Sequence, residues 1–137
     1  MSKRYTIAEI SAGNCLLLPK PRDTTKHLWI ILTDPDDNIK RNVAMVNLTT
    51  LKKGADKTVV LKVGDHPFIR HDSSVYYTDA KIASSLPIIA LLNSHYPDYD
   101  LHDNCSDLIL KKIQQGVLVS DFVSEEVQDY CRARLGL

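Results

Sequence analysis

Cysteine is scarce in this sequence and carries no pattern. Cys15, Cys105 and Cys131 stand far apart, odd in number and without a CxxC spacing. That argues against a disulfide framework or a zinc site and favours a reducing, cytoplasmic setting. Long apolar runs are missing as well. The first one, residues 15–18, is too short for the core of a signal peptide, and no stretch reaches transmembrane length. The chain therefore reads as soluble and unprocessed, with no membrane partner. There is no GxSxG, no P-loop, no dinucleotide fingerprint and no glycine-punctuated calcium loop. No internal repeat, low-complexity segment or linker divides the chain. Charge of one sign is also lacking, since 17 Lys and Arg balance 17 Asp and Glu. The balance hides an asymmetry: residues 1–81 carry 13 basic against 9 acidic side chains, and residues 82–137 carry 4 against 8. A field this weak excludes tight binding to duplex DNA, which draws its affinity from displaced counterions.

What is present is ordinary for a single globular domain. The 137 residues are 44% hydrophobic and 25% charged, enough to bury a core without covalent staples. Four short apolar segments, residues 14–18, 27–33, 43–50 and 58–62, predict strands. Residues 34–38 (DPDDN) predict the turn between the second and third, because Pro35 presets one torsion and the Asp and Asn side chains bond local backbone. Residues 74–77 and 80–83 extend the β pattern, and strands at this spacing suggest an antiparallel barrel or sandwich. Residues 85–93 (SLPIIALLN) fit a short helix or a buried strand, the helix being favoured by Pro87 in a first turn. Ser106 predicts a helix cap with Gly116 as the stop, and Ser124 a second cap followed by Glu125 and Glu126.

The densest polar cluster is GDHPFIRHD, residues 64–72. Its position after a strand and its Pro67 mark it as an edge or loop, where binding chemistry tends to sit. On an extended backbone Arg70 and His71 would point to opposite sides. His66 and His71 lack the spacing of a helical metal pair, and no metal or other cofactor is expected. One reading of the cluster is structural: Gly64 and Pro67 shape a turn and Asp65 caps it. The other is metal-free phosphodiester cleavage. There a ribose 2′-hydroxyl attacks phosphorus, an imidazole moves the proton, and Arg70, Lys26 or Lys62 holds the charge. A second polar stretch, HYPDYDLHD at 95–103, reads as a solvated connection, although Asp98, Asp100 and His102 alternate as cation ligands would.

Three segments together resemble the PemK/MazF family of small-barrel toxins, the ribonuclease halves of bacterial toxin–antitoxin pairs. They are KHLWIILT at 26–33, MVNLTT at 45–50, and the stretch from SVYY at 74–77 to Ala83. The likeness covers residues 14–84, and GDHPFIRHD is similar to a divergent bacterial branch of that fold. It implies a mainly β protein, a small antiparallel SH3-like barrel over 14–84, with a C-terminal α-helical extension over 85–137. It also implies single-stranded RNA as substrate, an acidic antitoxin as partner and a homodimer. Family members place an arginine ahead of the second strand and a hydroxyl at the end of the next. Thr49 matches the hydroxyl, while Lys26 or His27 stands where the arginine would be, without its two-pronged grip on phosphate. The expected catalytic set is thus Lys26, Thr49, Arg70 and His71, with His27, Asp65 and His66 contacting substrate. A noncatalytic barrel binding protein or RNA is the alternative. The acidic helical part would either cover the basic groove, as an antitoxin tail does, or complete the core.

Overall fold

Side chains alternate along two apolar strands, and the alternation decides the architecture. In β2 (Lys26–Ile31) Leu28 and Ile30 belong to one buried cluster, and Trp29 and Ile31 to another. In β3 (Asn42–Thr50) Ala44, Val46 and Leu48 join the first, and Val43 and Met45 the second. A sheet apolar on both faces needs cover on both. The computed structural model, which describes residues 5–19, 25–94 and 99–137, supplies it with helices.

The sheet has six strands in the order β4-β5-β3-β2-β1-β6, all pairings antiparallel. The remaining strands are β1 (Cys15–Pro19), β4 (Val60–Leu61), β5 (Ser73–Ser84) and β6 (Asp100–His102). On one face lie α2 (Asp107–Val119) and α3 (Glu125–Leu135), contributing Ile109, Ile113, Val117, Val127 and Cys131 to the larger cluster. On the other, α1 (Ser85–Asn93) and a 3₁₀ turn (Ile7–Ile10) contribute Ile88, Leu92 and Ile10. The described residues therefore form a mainly antiparallel half-barrel with three helices. No helix among the described residues is long and apolar enough to cross a membrane.

Local chemistry explains most boundaries. Asp36 Oδ1 accepts from the backbone N–H of Asn38 and Asn42 at 3.0 and 2.9 Å, fixing the expected turn between β2 and β3. Ser106 and Ser124 cap α2 and α3 as expected, each accepting a backbone N–H three residues on. Residues 85–93 take the helical alternative, capped by Ser84.

Three expectations need correction. The strands read at 74–77 and 80–83 are one twelve-residue strand, β5. Its pairing with β3 shifts register between Met45, opposite Lys81, and Asn47, opposite Tyr76, so the apparent break is a bulge. Gly116 does not stop α2, which runs on to Val119. A Cβ there would stand 2.0 Å from Tyr77 Oη, so the glycine serves close helix–sheet approach. Finally, the connection read at 95–103 contributes β6, which pairs with β1 and extends the sheet beyond residue 84. Of the alternating trio there, Asp98 lies outside the described residues. No group of three metal-ligating side chains occurs among those described.

Candidate functional site

Antiparallel pairing sets the start of β2 beside the end of β3, and the polar residues Lys26, His27, Thr49 and Thr50 sit there. The segment between β4 and β5 arches over this end of the sheet as two tandem turns. In the first, Asp65 N–H bonds Lys62 O at 2.9 Å with Gly64 at φ 103°, a torsion that only glycine adopts cheaply. In the second, Ile69 N–H bonds His66 O at 3.0 Å across Pro67. Because the chain turns rather than extends, Arg70 and His71 are both exposed toward the same hollow, while His66 and Ile69 are buried.

The result is one cleft of about 440 Å³ lined by Lys26, His27, Thr49, Thr50, Arg70, His71, Ser73 and His102 over an apolar floor of Leu48, Pro67 and Phe68. Four segments distant in sequence supply its polar groups. Among the described residues, no carboxylate is in its lining. Among the described residues neither the Arg70 guanidinium nor the His71 imidazole has a hydrogen-bond or ion-pair partner, so both are available to a ligand. His27 is held to the sheet, its Nδ1 3.4 Å from Leu48 O. A carbonyl can only accept, so Nδ1 carries the proton.

Asp65 and His66 are not in the lining, and their side chains are engaged within the fold. Asp65 Oδ2 accepts Lys62 N–H at 2.8 Å, closing the first turn. His66, 4% exposed, accepts Phe68 N–H on Nδ1 at 3.0 Å and contacts Asp103 O through Nε2. The acceptor role of Nδ1 leaves the proton on Nε2, and the ring is a neutral tautomer. Burial depresses its pKa below the ordinary histidine value, with His102 adding to the effect. His66 thereby ties the segment after β4 to the far edge strand β6, whose His102 ring also meets Phe68 edge-on at 5.7 Å. No backbone pairing joins those two edges among the described residues. Side chains bridge them.

His102 is the site residue that sequence reasoning missed. It sat in a stretch that looked like a polar connection, and only the pairing of Cys15 with His102 places it at the cleft. A second hollow of about 470 Å³ adjoins the first and shares Thr49 and Thr50 with it. Its rim carries Lys52, Lys53, Tyr76 and Phe122, the last 57% exposed. Among the described residues no helix residue lines the main cleft, and the acidic helices complete the core. In comparison with known proteins, the chain matches no family model, no curated protein and no solved structure.

Proposed function

We propose that the protein is a metal-independent endoribonuclease of the PemK/MazF kind, acting on single-stranded RNA, and that its half-barrel is a variant of the SH3-like barrel. The observation that carries this reading is the convergence of Lys26, Thr49, Arg70 and His71 on one cleft. Lys and Arg converging with a hydroxyl on one cleft suit a phosphodiester. Lys26 holds the phosphate and Thr49 bonds one of its oxygens. His71 takes the proton of the attacking 2′-hydroxyl, and Arg70 stabilises the charge that develops on the phosphorane oxygens. His102 is the second imidazole and returns a proton to the departing 5′-oxygen, leaving a 2′,3′-cyclic phosphate. The adjoining hollow extends the track, with Lys52 and Lys53 for flanking phosphates and Tyr76 and Phe122 for stacked bases. In this reading an acidic antitoxin segment competes with RNA for the cleft, and the working form is a homodimer.

One observation favours noncatalytic RNA binding instead: among the described residues His71 has no partner to orient its ring, as a general base ordinarily has. Induced expression followed by primer-extension mapping of RNA ends separates the two. Specific cuts that fall by about 10²- to 10⁴-fold in His71→Ala support the enzyme. Intact RNA, with in vitro binding whose salt slope drops by roughly 0.7 in Lys26→Ala, supports the binding module.

A further inference from the structure

Cys15 and Cys105, ninety positions apart, bring their Sγ atoms to 3.5 Å, although the sequence gives no hint of the pairing. The approach is fixed by the backbone around it. Cys105 N–H donates to Gly13 O at 2.9 Å, and Asn14 Nδ2 donates to Asn104 Oδ1 at 3.0 Å. The junction between β1 and the head of α2 is thus tied on both sides of the sulfurs. The two thiols differ in exposure: Cys15 is fully buried and Cys105 half-buried. Cys131 is buried and unpaired with either.

We propose that Cys15 and Cys105 form a redox-active dithiol that low-molecular-weight disulfides oxidise to an intramolecular disulfide, with Cys105 as the attacking thiol and Cys15 as the resolving one. The contact between the two thiols lowers the pKa of Cys105 and, with burial, raises that of Cys15, so the more exposed sulfur is the one that ionises. The Cys105 thiolate attacks a sulfur of the small disulfide, forming a mixed disulfide and expelling one thiolate. Capping Cys105 removes the negative charge that faced Cys15. Cys15 then attacks the Cys105 sulfur and expels the second small thiolate, which takes up the Cys15 proton. Two electrons pass from the protein to the small disulfide, which leaves as two thiols. The two sulfurs have to close from 3.5 Å to a bond of about 2.05 Å. Nothing in this depends on the chemistry of the cleft.

The test treats the full-length folded protein with glutathione disulfide and reads intact mass and unreduced peptide maps. The expected product has lost two hydrogen atoms, links the peptides of Cys15 and Cys105, and retains one alkylatable thiol, Cys131. Cys15→Ser is expected to stop at a stable glutathione adduct on Cys105, and Cys105→Ser to give neither adduct nor link. A limited pulse of iodoacetamide on the reduced wild type, which needs no variant to fold, is expected to label Cys105 first. A persistent adduct in the wild type, a link through Cys131, an intermolecular link, or no reaction at Cys105 each overturns the proposal.

Discussion

Gly116, which the sequence suggests as a helix stop, instead lets α2 approach the sheet closely. Inside α2 it faces Tyr77, whose hydroxyl donates to Ile113 O at 2.9 Å from a fully buried position. An added Cβ would stand 2.7 Å from Tyr77 Cζ and 2.8 Å from Val59 Cγ2. Neither ring nor branched methyl is the end of a flexible chain, so the helix must move off the sheet. Alanine gains about 1 kcal/mol of helix propensity over glycine, but overpacking of a tight core costs about 1–3 kcal/mol. Gly116→Ala is therefore expected to destabilise by up to about 2 kcal/mol on that balance, measured as a lower urea midpoint at unchanged slope. An equal or raised midpoint would show that helix propensity decides at this position. The sequence contained the glycine but not its neighbour, because Tyr77 lies on another element.

Between elements, the segment that joins β4 to β5 is held to β6 by one imidazole. Folded, His66 has its pKa below the ordinary 6.5, chiefly through burial, and unfolding restores that value. Between the two values the unfolded chain binds more protons. Stability is thus complete above about 6.5, declines as pH falls from there through the folded value, and then levels off. His66→Gln is expected to lose this step and to lower stability by about 1–3 kcal/mol at pH 8, because Phe68 N–H and Asp103 O lose well-placed partners. Denaturant midpoints at pH 5 and pH 8 for both proteins test it, and a step of equal size in the variant would remove His66 as its source. At this scale legibility followed locality. The caps Ser106 and Ser124, the turn at Asp36 and the turn-forming Gly64 and Pro67 act on their own backbone, and the sequence displayed them. The bulge in β5 and the strand β6 exist only because β3 and β1 lie alongside, and no local pattern announces either. The candidate cleft was half legible for the same reason. Lys26, Thr49, Arg70 and His71 stand at element ends that the apolar pattern marks, whereas His102 reaches the cleft through an unforeseen pairing.

For the molecule as a whole, the helices are what separate this fold from a self-sufficient barrel carrying an appendage. α2 and α3 are bonded into the sheet's connections: Gln114 Nε2 donates to Leu32 O at 2.8 Å, and the Tyr130 hydroxyl lies 2.8 Å from Asp36 Oδ2. Burial opposes charge on Asp36, yet the bonds from Tyr130, Asn42 and Asn38 outweigh it and hold its carboxyl below the usual range. Beneath these ties, six side chains after residue 105 (Ile109, Ile113, Val117, Val123, Val127 and Cys131) fill the larger core cluster. At roughly 1.5–3 kcal/mol for each fully buried aliphatic side chain, their removal matches or exceeds the whole stability of a domain this size, about 5–15 kcal/mol. A fragment of residues 1–104 keeps every strand and the entire lining of the cleft. It is nonetheless expected to show no cooperative melt by circular dichroism and to bind a hydrophobic dye, because one face of the sheet is left bare. A sigmoidal melt from that fragment would mean that the strands close on themselves without help, and that the helices are an extension after all.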